Sequence, residues 1–274
     1  MNNFEGYKKY LEEMTRCFPN SGEMVNLYNG LIDIWGNSKT DDLLPLLSIE
    51  KLSNGLYLLD ENKINQVEFT NCSETAVRVF EVMREKGLKG TESLNGLTSQ
   101  QAVEVIKMSF NREDRHQNVV IKWILKLSFM SLIEKVKGDN AITGILEQGR
   151  FGKCPLCHAP PGMAIVDVVN NIEQRFLSCC FCGFRWPFSG TDCPNCRNNK
   201  PEKMSFFAGN SACEQGSKAV SCDECKRYIK TVFLKKRKDS RGFNDLDMDI
   251  EDVATIPLDI IASERGYTAV CQTR

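Results

Sequence analysis

Four Cys-x-x-Cys pairs lie between residues 154 and 225: Cys154/Cys157 (CPLC), Cys179/Cys182 (CCFC), Cys193/Cys196 (CPNC) and Cys222/Cys225 (CDEC). Two residues between cysteines let one tight turn aim both sulfurs at a single metal ion, while turn amides hydrogen-bond the thiolates. Two such turns supply the four soft ligands that zinc or iron takes tetrahedrally, at about 2.3 Å for Zn–S. One pair alone is also a redox motif, whereas four in succession point to two metal centres.

The turns can be grouped in three ways. Grouping neighbours puts Cys154, Cys157, Cys179 and Cys182 on one metal and Cys193, Cys196, Cys222 and Cys225 on the other. The gaps 158–178 and 197–221 are each long enough for a β-hairpin that returns the chain to its start, as in a ribbon or rubredoxin-like knuckle. A cross-braced arrangement would instead join the first pair to the third. Neighbour grouping is favoured because each site then closes within one supersecondary unit. Cys180 sits between two ligands and is expected to point away from the metal. Cys213 and Cys271 read as bystanders, His158 as a turn residue and His116 as structural. Eight thiolates against two Zn²⁺ leave a charge of −4, and against two Fe³⁺ a charge of −2. Four-sulfur sites offer no open position to water or substrate, so they hold a fold together or carry an electron and do not hydrolyse.

Eleven of the 13 cysteines fall in 154–271, and Gly and Pro become frequent from Gly152, which places a domain boundary near 150. Before it the chain reads as helical. Ser21 can cap a segment with Met24, Leu27, Tyr28, Leu31 and Trp35 on one face. Ser73 can start a second, with Ala76, Val79, Phe80 and Met83 inward and Gly87 as its stop. Thr98 and Gln101 form a capping box before Val103, Ile106 and Phe110. A longer helix is predicted over 114–136, with Val120, Trp123, Ile124, Leu127 and Met130 buried. Cys17 and Cys72 stand alone in this half. Short β-like runs, MAIVDVV and QRFLSC, follow the boundary. The predicted fold class is α+β: a helical N-terminal domain (1–150), a first rubredoxin-like (zinc-ribbon-like) module (151–190), and a second with a C-terminal helix (191–274).

The 274 residues carry a net charge of −1, so bulk charge points to no partner and nucleic acid is disfavoured. MNNFEGYKKYLEEM lacks a basic segment followed by an apolar run, so no secretory signal is expected. The most apolar stretch, Val119–Ile133, is short and broken by Lys122 and Lys126, which suits a core helix better than a membrane span. A cytoplasmic protein with no membrane insertion is expected. KRYIKTVFLKKRK, Lys226 to Lys238, is basic with interleaved aromatics, as in nucleic-acid-binding ribbons, or is a strand with a solvated face. The acidic residues Asp245, Asp247, Asp249, Glu251 and Asp252 follow it. They either neutralise the basic run or face a charged partner. VATIPLDIIASERGY then reads as an amphipathic helix with Ile256, Ile260 and Ile261 inward and Gly266 as its stop.

The order CPLCHAPP, RFLSCCFCGFRWPF, CPNC, AVSCDECKRYIK, DVATIPLDIIASERGY resembles that of the formate dehydrogenase accessory protein FdhE family, chiefly over 150–270. PLLSIEKL, Pro45 to Leu52, is similar to that family's early segment. The resemblance implies two rubredoxin-like modules after a helical region, with iron ahead of zinc at the eight cysteines. It implies a non-enzymatic, chaperone-like maturation factor that binds the dehydrogenase's catalytic subunit, or that subunit's twin-arginine signal peptide, before export. An iron redox protein and a zinc-ribbon nucleic-acid binder are the alternative readings. His158 and Arg197 stand where the family often has glycine.

Overall fold

Asn170 and Asn171 both adopt positive φ, 52° and 63°. They form the two-residue turn whose twist suits a β-hairpin and which asparagine tolerates. That hairpin joins β1 (Pro161–Val169) to β2 (Ile172–Cys179), and β3 (Arg185–Pro187) pairs antiparallel with β2. The computed structural model describes residues 11–12, 15, 22–35, 41–87, 96–109, 126–127, 129–148, 151–188, 190–208, 216–237, 243 and 246–271. Contacts divide the chain into a unit of residues 8–144 and a unit holding residues 145–274.

The second unit repeats its first three strands. β4 (Met204–Phe207), β5 (Ser217–Cys222) and β6 (Arg227–Phe233) form another antiparallel meander. Parallel pairing of β1 with β6 fuses the two into one sheet of order β3-β2-β1-β6-β5-β4. β7 (Thr268–Ala269) lies against the start of β6. In each meander one Cys-x-x-Cys turn precedes the first strand, and the other links the second strand to the third. At Gly162 the β1–β2 register shifts, and a Cβ there would lie 2.9 Å from the Cβ of Cys180, so only glycine fits beside the second turn.

Two helices, α7 (Met248–Ala254) and α8 (Ile256–Glu264), pack on this sheet. (The first unit contributes α1 to α6, given below.) Leu258 and Ala262 of α8 are buried with Phe207, Ala219, Tyr228 and Tyr267. Met248 joins Met163, Ile165, Val232 and Leu246 in an adjoining cluster. The face predicted for the final helix holds at Ile261, which packs against the first cluster, and fails at Ile256 and Ile260, which are 41% and 55% exposed. The segment is apolar nearly all round, so its periodicity did not fix a face. The phase is set by Thr255, a buried break whose Oγ1 donates to Glu251 O at 2.6 Å, followed by Pro257 in the first turn of α8.

The acidic and basic runs meet here. Lys230 is 3% exposed and pairs with Asp252 at 2.7 Å and Asp259 at 2.9 Å, while Tyr228 Oη donates to Asp259 at 2.7 Å. Arg237 pairs with buried Glu251 at 2.8 Å. Asp247 caps α7 by accepting from the amides of Asp249 and Ile250.

In the first unit, α1 (Gly22–Trp35) buries Leu27, Tyr28 and Leu31. A short α2 (Ile49–Ser53) follows a 3-10 turn at Asp41–Leu46. Then come α3 (Thr70–Glu85), α4 (Ser99–Ser109), α5 (Met130–Gly138) and α6 (Asn140–Gln148). Helix α3 begins before the predicted Ser73. Phe69 cannot cap it, and the carboxylate of Asp42 does so from a distance, accepting from Cys72 N at 2.9 Å. Ala76, Val79, Phe80 and Met83 are buried, and Gly87 ends the helix at φ 72°. Thr98 and Gln101 make the expected reciprocal capping bonds, with Ile106 buried. Gly30 of α1 lies so close to α3 that a Cβ would meet Val82 at 2.5 Å. The predicted helix over 114–136 falls largely outside the described residues, as do Ser21 and Phe110; of it, Leu127 is buried.

Glu251→Ala removes the buried carboxylate that pairs with the Arg237 guanidinium, itself 5% exposed. The expected loss is about 3–5 kcal/mol of unfolding free energy, read from the shift in a denaturant unfolding midpoint.

Candidate metal centres

All four turns are built alike. Cys154 N donates to Ala159 O, Cys193 N to Asn198 O and Cys179 N to Phe184 O, each at 2.8 Å. Cys222 is likewise paired with Arg227 across the β5–β6 turn. The residue after each closing cysteine is left-handed: His158 at φ 64°, Gly183 at 75°, Arg197 at 62° and Lys226 at 53°. Three of the four turns thus reach the shape that glycine favours without glycine, at about 1–2 kcal/mol each. The opening sulfur of each turn receives amides from the next residues: Cys157 N to Cys154 Sγ at 3.5 Å, and Phe181 N and Cys182 N to Cys179 Sγ at 3.3 and 3.4 Å. The amides of Asn195 and Cys196 serve Cys193 in the same way, and those of Glu224 and Cys225 serve Cys222.

These turns bring the eight cysteines together as neighbour groups. In the first, Cys154 and Cys182 sulfurs are 3.7 Å apart, Cys157 and Cys179 3.5 Å, and Cys157 and Cys182 3.6 Å. In the second, Cys193–Cys225 and Cys196–Cys222 are both 3.7 Å. Within each group all four sulfurs lie within 4.8 Å of one another, so each could hold a metal ion. The spacing excludes disulfides, whose sulfurs sit about 2.05 Å apart. It fits the edge of a tetrahedron of ligands at about 2.3 Å from a central ion, which is about 3.8 Å.

The groups differ in their surroundings. All four sulfurs of the first belong to buried residues. In the second, Cys193 and Cys222 are buried, Cys225 is half-buried and Cys196 is exposed. Arg175, on β2 of the first meander, reaches across to the second group. Its Nη1 donates to Asp192 O at 2.8 Å, next to Cys193, and its guanidinium lies 5.3 Å from the Phe188 ring. Burial lowers its pKa to about 10, with Cys193 and Asp192 opposing the shift, so it is a cation at neutral pH. Its Nη2 has no hydrogen-bond partner among the described residues. Arg197 stacks on the same ring at 4.8 Å. Asn198 Nδ2 approaches Cys222 Sγ at 3.6 Å. The fourth turn is held from the C-terminal segment: Tyr267 Oη donates to Asp223 at 2.8 Å, and Lys226 pairs with Asp223 at 2.7 Å. Sequence reasoning missed Arg175, Asn198 and Tyr267. It also missed Lys226 as a third non-glycine after a turn, although that signal matched the one at His158 and Arg197.

Cys180 stands outside both groups and meets the thiol of Cys271 instead. Cys72 is buried in α3. Cys17, Cys213 and His116 lie outside the described residues. In the basic run, Lys230 and Arg237 are consumed by internal ion pairs, while Lys235 and Lys236 are exposed. No helix among the described residues is long and apolar enough to cross a membrane.

No family model matches the chain. A relative in Stutzerimonas stutzeri described as "Protein FdhE homolog" is 30% identical over 146 residues, 53% of this chain and 41% of that one. Another of the same description, from Aquifex aeolicus, is 25% identical over 266 residues, 92% of this chain and 88% of that one. The crystal structure of the FdhE protein from Pseudomonas aeruginosa superposes with a TM-score of 0.62 at 17% identity, covering 98% of this chain and 94% of that one, which is a likeness of fold. The chain is similar to FdhE homologues in sequence and to an FdhE protein in fold. The structure has helices followed by two zinc-ribbon-like modules, each with a four-cysteine group. The match spans less than half the length of the Stutzerimonas relative.

Burial pushes the thiols of Cys154 and Cys182 up in the first group, and of Cys193 and Cys196 up in the second. Against the same burial, neighbouring thiols hold Cys157 down and amides hold Cys222 down. Without a cation, then, the thiols of Cys154, Cys182, Cys193 and Cys196 keep their protons at neutral pH. Added Zn²⁺ is expected to expel protons into weakly buffered solution, and its apparent affinity to fall as pH falls from about 8 to about 6; a competition titration at several pH values checks this. Arg175→Leu is expected to weaken Zn²⁺ binding by about 10- to 100-fold at the second group alone, measured by the same titration.

Proposed function

We propose that this chain is a member of the FdhE family and a cytoplasmic accessory factor required to make active formate dehydrogenase. In this reading it holds one metal ion at Cys154, Cys157, Cys179 and Cys182 and one at Cys193, Cys196, Cys222 and Cys225, iron ahead of zinc. It binds the dehydrogenase's catalytic subunit before export and catalyses no reaction itself. The observation that supports it most is the pair of four-sulfur groups in one fused sheet, on a chain similar to FdhE homologues over nearly its whole length. Four thiolates around an ion leave no coordination position for a substrate, so such centres stabilise a surface or pass an electron. The internal pairing of Lys230 and Arg237 weakens the nucleic-acid alternative, because two of the cations in the basic run already have carboxylate partners.

A strain lacking this protein is expected to lose formate dehydrogenase activity, and the tagged protein is expected to co-purify with the dehydrogenase catalytic subunit from anaerobic extract. Full activity in the deletion strain together with no co-purification would refute the assignment.

A further inference from the structure

The two four-cysteine groups share a turn design and sulfur spacing but not their access to solvent. In the first, Cys154, Cys157, Cys179 and Cys182 are 1%, 0%, 5% and 1% exposed. In the second, Cys193 and Cys222 are each 1% exposed, but Cys225 is half-buried and Cys196 is exposed. Cys196 and Cys225 close their respective turns, so the open edge carries one sulfur from each turn of the group. The buried edge, Cys193 and Cys222, holds the backbone amides and the approach of Arg175 and Asn198.

We infer that the two centres are unequal: the second is an exchangeable centre that trades its metal with soluble thiol or nitrogen chelators through Cys196 and Cys225, and the first is locked. This rests on the reading that both groups hold metal. Exchange needs an incoming donor atom to reach the ion while a thiolate leaves and takes up a proton. The metal's charge does not change and no electron moves. At the first group no sulfur can leave toward solvent, since each is packed under protein. At the second, Cys196 can swing into water while Cys193 and Cys222 keep their amide bonds and retain the ion. The same exposure makes Cys196 the one of the eight ligand sulfurs that an alkylating reagent reaches first.

The test uses the full chain loaded with two equivalents of Zn²⁺ and mixed with excess 4-(2-pyridylazo)resorcinol, a chromogenic nitrogen chelator. One equivalent is expected to leave at least about tenfold faster than the other. Limited iodoacetamide followed by peptide mass spectrometry should label Cys196 first among the eight ligand cysteines. Cys196→Ser, a change at an exposed position, should remove the fast equivalent and keep the slow one. Two equivalents leaving at one rate, labelling of Cys154, Cys157, Cys179 or Cys182 before Cys196, or loss of the slow equivalent in Cys196→Ser would overturn the inference and leave the metal reading standing. A well-folded chain that takes up no metal would overturn both.

Discussion

The C-terminal unit depends on a backbone turn more than on any side-chain contact. Each Cys-x-x-Cys turn closes with an opening amide bonded several residues ahead and a left-handed residue after the second cysteine. That closure points amides at the opening sulfur and sets both sulfurs on one side. Four sulfurs spaced at 3.5–3.7 Å follow from pairing two such turns. The strain at His158, Arg197 and Lys226 is a local cost that the group offsets when an ion ties the turns together, because metal binding to thiolates contributes directly to folding.

The fused sheet couples the centres. Each meander supplies one group, but β1 pairs with β6, and Arg175 of the first meander bonds beside Cys193 of the second. A residue that anchors to a neighbouring module's turn and also places a cation near its sulfur links the two modules in structure and in charge. The β6 strand carries a second such link. Lys230 sits under the C-terminal helices with two carboxylates, so docking of α7 and α8 neutralises charge that the strand would otherwise bury alone.

Much of this was legible. The cysteine spacing reported the turns because two intervening residues allow few conformations, and the hairpin-length gaps led to neighbour grouping. The capping box at Thr98 and Gln101 and the stop at Gly87 could be read because such signals are local. What failed was longer in range. Asp42 caps α3 from 30 residues away, which no window around Ser73 shows. The face of α8 is chosen by Phe207, Ala219 and Tyr228 on strands distant in sequence, and the isoleucines at 256 and 260 extend the apolar pattern of Ile261 onto an exposed side. Arg175 gave no signal, since an arginine that follows Glu173 and Gln174 in a strand looks like part of its exposed polar end.

The C-terminal segment has a structural reason to accompany the cysteines. Gly266, at φ 80°, turns the chain out of α8 so that Tyr267 packs with Phe207 and Leu258 while its hydroxyl bonds Asp223, inside the fourth Cys-x-x-Cys turn. Thr268 N then donates to Lys226 O, the left-handed residue that ends that turn. The helix, the glycine and the tyrosine therefore brace the turn that carries Cys222 and Cys225. This bracing suits a half-exposed group, because the second centre cannot draw its rigidity from burial of all four sulfurs as the first does. Its order comes instead from neighbours on the buried side, leaving the Cys196 edge free to face solvent.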